Sequence, residues 1–573
     1  MTAPADLVLT NAVVYPLAGE PAGPTDPGEG RPDETAAAVA VRDGRVVRVG
    51  RAAEVEFLAG VETDVRDCGG RVVLPGFVDA HTHLSMVGRR LVNADLGAAS
   101  SPADAVDLLA AHAAEPTDPE TVERADEWVV GFGYDESTWA ESRYLTRADL
   151  DRASTERPVV AVREDMHLAS LNSAALEALR GEMPDDDVDT EGGEPTGVVV
   201  EDALSAVWTA VEPGRERAAA LVRAAQRRAN EVGVTAVHDM VRDSPAPRVY
   251  RDLAAAGELT VRVRIHYWAD HLDALAELGL TTNHGDGLVR TGAVKTFTDG
   301  SIGGHTARLS EAYADLAGDG DLNSDPAGDG ASDGDPGGDA NGDNAGDSHG
   351  GADADADDAR GQWVVDPERF GEIVARADAD DRQMAAHAIG DEAIRAVLDA
   401  YAAAGDRRHR VEHAEVLTDD LVRRLGAEGV VVSAQPNFLK WAREGGLYAT
   451  RLGEQRRRAS NRFRALVAAG ATLAFGSDCM PLDPLYGIEQ TVTAPTAAQR
   501  LSVTAALRAY TSGAAYAGFD EDRLGSVEAG KRADLVVLDE SPWAVDPDEI
   551  GDIDVATTVV DGRVVFDADG QRD

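Results

Sequence analysis

The sequence predicts an α/β fold: a (β/α)8 barrel of the TIM type, joined to a small β-sandwich from both chain ends and carrying an inserted α+β subdomain. Three observations predict it. Eight apolar, strand-like runs recur through the middle of the 573-residue chain, and amphipathic helical stretches separate most of them. That is the rhythm of parallel strands joined by crossovers. The two ends share a different texture of short strands broken by Gly and Asp turn signals. The length also exceeds what one compact core accommodates, so two or three domains are expected.

At the N-terminal end, Ala5–Pro16, Ala38–Val49 and Asp67–Leu74 are β-rich, with a Pro/Gly/Asp-rich loop at Leu17–Glu34. Gly530–Leu538 and Val555–Phe566 repeat this texture around an Asp-Gly turn. Residues 1–72 and 526–573 are therefore expected to form one composite β-domain. The barrel is expected over 73–525. Its strand candidates are Val73–Thr82, Val234–Met240, Val261–Ala269, Val289–Asp299, Gln383–Ile389, His409–Ala414, Val430–Gln435 and Thr472–Asp478. Helices are expected at Arg215–Val232, Pro367–Asp380, Asp391–Ala404 and Thr418–Gly426.

Two segments interrupt the rhythm. Residues 91–204 carry their own mixed pattern and read as an inserted subdomain. Residues 317–361 form a Gly/Asp-rich run, with thirteen aspartates and no Lys or Arg between Asp319 and Asp358. Such a run cannot bury enough apolar surface to offset its ordering entropy, so it is expected to be a disordered, solvated loop. Its aspartates do not continue into the twelfth-position Glu of an EF-hand loop.

The formal net charge is -49, and Lys295, Lys440 and Lys531 are the three lysines. An acidic, lysine-poor surface resembles the proteins of extreme halophiles, where salt screens self-repulsion. It also argues against nucleic acid and anionic membranes as partners. A small-molecule substrate is expected instead; a homo-oligomer is compatible with the sequence. Cys68 and Cys479 are too few for a disulfide framework. No signal peptide or membrane-length apolar run is visible, so a cytoplasmic enzyme is expected.

Residues suited to metal binding sit at the ends of the proposed strands. His81 and His83 stand two apart on the first strand, so both imidazoles can face one ion. Lys295 ends the fourth strand, His387 the fifth, His413 the sixth and Asp478 the eighth. Each residue alone has a structural explanation, as a core histidine, a salt-bridge partner or a cap. As a set they fall where active sites of this barrel lie, at its C-terminal face.

These motifs carry a family resemblance. LPGFVDAHTHL at Leu74–Leu84, VKTFTDGSIG at Val294–Gly303, AAHAIGDEAI at Ala385–Ile394, RVEHAE at Arg410–Glu415 and FGSDC at Phe475–Cys479 occur in order. GFGYDESTW at Gly131–Trp139, REDMHLASLNSAAL at Arg163–Leu176 and GSVEAGKRADLVVLD at Gly525–Asp539 add to them. The sequence resembles the amidohydrolase superfamily, and within it the amidohydrolase 3, or YtcJ-like, group. The resemblance spans the chain except the Asp-rich run.

The resemblance implies a metallo-hydrolase barrel that cleaves carbon–nitrogen bonds, such as non-peptide amides or N-substituted formamides, with a metal-activated hydroxide. It implies two divalent ions, zinc foremost. His81, His83 and Asp478 would hold one, and His387 and His413 the other. Lys295 would bridge them as a carboxylated lysine, because an unmodified ammonium offers no lone pair. Asp478 would also be the catalytic proton carrier.

The substrate candidates are His167, Tyr134, Asp135, His305 and Gln435. For Tyr134, Asp135 and Trp139, packing within the subdomain is the competing role. His305 stands where the group often has a different residue; it either touches substrate or faces solvent. His238 and His266, at other strand ends, either support the ligands or belong to the core. A mononuclear deaminase of the same superfamily is the alternative, and a non-catalytic barrel scaffold is a third. Retention of Lys295 in a chain with three lysines favours the binuclear hydrolase.

Overall fold

The computed structural model describes residues 3–19, 32, 35–114, 128–164, 166, 168–316 and 359–570. At its centre is an eight-stranded sheet whose spatial order follows the chain order. Its strands are β1 (Phe77–Thr82), β2 (Val234–Val241), β3 (Arg262–Trp268), β4 (Val289–Phe297), β5 (Met384–Ala388), β6 (Arg410–His413), β7 (Val431–Ala434) and β8 (Thr472–Phe475). All neighbours pair in parallel. β8 meets β1 without a regular ladder: the amide of Asp478 donates to the His81 carbonyl at 2.8 Å. Gly476 allows that approach, since a Cβ there would lie 2.3 Å from the His81 nitrogen.

Most of the strands form because their runs are apolar on both faces; β3 and β6 are as buried but carry Arg262, Arg264, His266, Arg410, Glu412 and His413. β7 and β8 are buried at every position, as parallel strands covered by helices require. The covering helices are amphipathic. Asp391–Ala402 buries Ala393, Ile394, Val397, Leu398 and Tyr401, a helical stripe facing the barrel. Asp391 and Glu392 occupy its first turn, where the helix dipole favours negative charge.

The expected strand Val73–Thr82 is two strands. Val72–Pro75 pairs antiparallel with Leu535–Leu538 in the terminal domain, and Phe77–Thr82 enters the barrel. Pro75 lacks an amide donor, and at Gly76 a Cβ would meet Thr235 at 2.3 Å, so one ladder cannot run through both. The expected strand Asp67–Leu74 divides likewise between two sheets.

One terminal sheet orders Arg45–Gly50, Ala38–Arg42, Leu7–Thr10 and Asp64–Asp67; the other orders Val13–Val14, Val72–Pro75, Leu535–Leu538, Val555–Val560 and Arg563–Asp567. Leu7, Leu9, Val39 and Val41 pack with Val73, Val537 and Val559 in one shared core. The turn of the last hairpin has Asp561 at φ 53° and Gly562 at φ 77°, the left-handed pair that a two-residue hairpin prefers.

The inserted unit is a mixed six-stranded sheet. Helix Pro102–Ala114 packs on one face through Ala105 and Leu109. Helix Glu201–Ala210 packs on the other through Leu204 and Val207, so the unit reaches past residue 204.

Residues 317–358 of the Asp-rich run lie outside the described residues. Ala359–Gly361 do not belong to a loose loop. The amides of Tyr313 and Leu309 donate to the carbonyls of Ala359 and Arg360, each at 2.8 Å. Among the described residues no helix is long and apolar enough to cross a membrane.

The charge imbalance makes a prediction about stability. Exposed pairs such as Arg215–Asp252 and Arg223–Glu258 are each worth about 0–1 kcal/mol. They do not offset the repulsion among the surplus carboxylates. Salt screens that repulsion over about 3 Å at 1 M. Thermal melts should therefore shift strongly upward between low and molar potassium chloride. Equal melting temperatures would show that the acidic surface carries no such dependence.

Candidate metal centre

His81 lies in β1, and His83 follows just after it as the N-cap of helix Leu84–Val92. Asp478 follows β8 with a left-handed backbone, φ 48°, which turns its carboxylate toward the two rings. Its Oδ1 lies 3.4 Å from His83 Nε2 and 3.7 Å from His81 Nε2. The ligand atoms of these three residues all lie within 4.8 Å of one another. Backing groups orient both rings. His81 Nδ1 lies 2.6 Å from Glu412 Oε2, and His83 Nδ1 lies 3.1 Å from the Met240 carbonyl. Donation from Nδ1 puts the lone pair on Nε2, facing Asp478, as second-sphere partners of metal-binding histidines do.

The imidazole cluster continues across the barrel. The His413 ring is 5.0 Å from that of His81, and the His387 ring 4.4 Å from that of His413. His413 ends β6 with φ 72°, which departs from strand alternation. His387 Nε2 donates to the Gly300 carbonyl at 3.0 Å. Asp299 braces the loop beside it by accepting the amides of Arg308, Ile389 and Gly390. Burial pushes the Asp299 carboxyl up to about 7.

Lys295 lies in register with Ala385 of β5, and Phe297 with His387. Its Nζ is buried, 5.4 Å from the Phe297 ring and 5.9 Å from the Trp268 ring. Burial lowers its pKa to about 8, which makes the neutral amine accessible near neutral pH. Burial also holds His81 and His413 well below the ordinary imidazole range, with the Lys295 charge adding to both. Neutral imidazole is the metal-binding form. Burial raises the Asp478 carboxyl, with His83 and Lys295 opposing.

Two atoms here have no hydrogen-bond partner among the described residues: Lys295 Nζ and His413 Nδ1. Leaving a buried polar group unsatisfied costs about 1–3 kcal/mol. Orphaned nitrogens near a three-ligand cluster are compatible with a metal site, so the residues present fit a bound ion.

The substrate candidates fare less well. Tyr134 is fully buried, its hydroxyl 3.1 Å from Ser170 Oγ and its ring stacked on Trp139. Trp139 Nε1 donates to the Ala99 carbonyl. Both belong to the core of the inserted unit, because its sheet needs aromatic filling under helix Pro102–Ala114. Asp135 lies 3.7 Å from Arg163, which also grips Glu136. His305 is held against its own loop by Asp315 at 2.9 Å and Arg451 at 2.8 Å, with its ring edge-on to Tyr313. His167 lies outside the described residues. Gln435 is buried just after β7, its Oε1 without a hydrogen-bond partner among the described residues.

Sequence reasoning missed Glu412 and Arg410. Both are fully buried on β6. The available signal was a pair of opposite charges two apart on a strand otherwise fit for burial.

Comparisons with known proteins agree with this geometry. The profile of the Amidohydrolase family matches residues 64–566. The chain is 29% identical to the YtcJ protein of Bacillus subtilis over 558 residues, covering 92% of this chain and 96% of that one. It is 27% identical to an N-substituted formamide deformylase of Arthrobacter pascens, covering 93% and 96%. The crystal structure of an uncharacterized metal-dependent hydrolase from Pyrococcus furiosus superposes with a TM-score of 0.71 at 27% identity, covering 94% of this chain and 99% of that one. With a family match along most of its length and a His–His–Asp cluster at the mouth of a parallel barrel, the chain belongs to the amidohydrolase family, as a metal-dependent hydrolase acting on carbon–nitrogen bonds.

Proposed function

We propose that the chain hydrolyses non-peptide amides, N-substituted formamides foremost, with two divalent ions bridged by carboxylated Lys295. The observation that carries this reading is the run of ligand-type groups from His83 through His81 and His413 to His387, with the orphaned Nζ of Lys295 beside it. His81, His83 and Asp478 would hold one ion, and His387 and His413 the other. Imidazole and carboxylate donors suit zinc. When bound, the ions supply Lewis acidity and make water nucleophilic near neutral pH.

The chain's own groups do the rest. Glu412 and the Met240 carbonyl aim the first two imidazoles. Asp478 takes the proton of the attacking water and delivers it to the leaving nitrogen. The formyl carbon gains a bond to the water oxygen and loses its bond to nitrogen, giving formate and an amine. The likeness to the formamide deformylase supports the bond type.

A second reading rests on the compactness of His81, His83 and Asp478 alone, which is a one-ion set such as a mononuclear deaminase uses. A substrate panel separates the two. Zinc-loaded protein at high salt should release formate and amine in equal amounts from N-substituted formamides. Ammonia released from cyclic amidines, with no formate from any formamide, would favour the deaminase.

A further inference from the structure

Arg410 is the largest fully buried side chain among the described residues. It stands on β6 three residues before His413. A guanidinium has five N–H donors, and here each meets an acceptor. Nε donates to Glu412 Oε1 at 2.8 Å. Nη1 reaches His238 Nδ1 at 2.9 Å and His266 Nε2 at 3.4 Å. Nη2 reaches the Ala80 carbonyl at 2.7 Å, Ser433 Oγ at 2.9 Å and Glu412 Oε2 at 3.1 Å. These acceptors come from β1, β2, β3, β6 and β7, so one side chain ties five strands together. Glu412 Oε2 is also the atom that meets His81 Nδ1.

We propose that Arg410, His238 and His266 are positioning residues for the metal centre: they lock the Glu412 carboxylate, and Glu412 locks the His81 ring with Nε2 toward Asp478. This rests on the reading of His81 as a metal ligand. Packing alone does not explain the network. Barrel interiors are ordinarily filled by Val, Ile and Leu, and replacing a buried ion pair by apolar residues of similar volume is often neutral or stabilising. A guanidinium with every N–H paired repays its desolvation in geometric definition, which a metal site uses and a filler layer does not.

The two histidines are acceptors, and burial with the Arg410 charge holds both rings in the neutral form. They stack on each other at 5.5 Å, so each fixes the other's plane. Removing either acceptor leaves an Nη1 N–H unpaired and loosens the guanidinium's hold on Glu412. Lysine at 410 would keep the charge but lose the planar fork.

The test uses the full chain, zinc alone as probe, and chelator competition at a temperature where circular dichroism shows each variant folded. H238L and R410K should weaken zinc binding by about 10–100-fold, the usual effect of losing an outer-sphere partner. H238N restores an acceptor at the reach of Nδ1 and should return affinity to within a few-fold of wild type. A merely structural role would lower the melting temperature and leave zinc affinity in the folded protein unchanged. Folded H238L binding zinc as tightly as wild type would overturn the proposal, and so would H238N as weak as H238L. If R410K does not fold, the His238 pair decides. Wild type and H81A binding zinc equally would instead overturn the metal reading itself.

Discussion

Asp478→Asn is expected to abolish turnover while the fold stands. The backbone hydrogen bond from residue 478 to the His81 carbonyl does not involve the side chain, and the amide keeps the carboxylate's shape. What is lost is the ability to take a proton and one negative charge facing His81 and His83. A general acid–base group contributes about 10²–10⁴-fold in rate. A group that also completes a metal cluster should lie at or beyond the upper end. The check is kcat on an active formamide, with circular dichroism and the melting temperature measured on the same sample. Activity within tenfold of wild type in a folded variant would remove Asp478 from the proton path.

Lys295→Arg is expected to lose metal as well as activity. Its side chain is buried against Trp268 and Phe297, where a fixed positive charge is poorly hydrated. A guanidinium cannot add carbon dioxide, so it stays a cation where the account places two others. Like charges in a poorly solvated site repel strongly. Lys295→Ala leaves a space instead of a charge. Acetate or propionate should partly restore its activity by supplying the bridging oxygens, and chloride at equal ionic strength should not. Equal responses to acetate and chloride would argue against a carboxylate-type bridge.

Much of the fold is legible in the sequence because the physics is local. Most barrel strands are apolar runs buried on both faces, and each of the eight expected strands has a counterpart in the sheet, the first of them only over Phe77–Thr82. Less legible were features set by tertiary approach. The break at Gly76 follows from Thr235, a residue 159 positions away. The end of the Asp-rich run was misplaced by three residues, because Ala359–Gly361 are fixed by hydrogen bonds to a loop across that run.

The site divides in the same way. Strand ends located His81, His387 and His413, but alternation does not give the left-handed turn at His413 that aims its ring. The sequence left Tyr134 and Trp139 open between pocket and packing, because a motif cannot distinguish an aromatic that lines a cavity from one that fills a core. Arg410 and Glu412 escaped notice because a charged pair on a strand ordinarily marks a solvent face.

The most direct test of the binuclear centre is the number of zinc ions per chain, measured by mass spectrometry on wild type and Lys295→Arg purified side by side. The account predicts two ions per wild-type chain and loss of metal with loss of turnover in the variant. A variant that keeps both ions and full activity would contradict the carboxylated-lysine bridge, and a single ion in wild type would make the mononuclear site the better description.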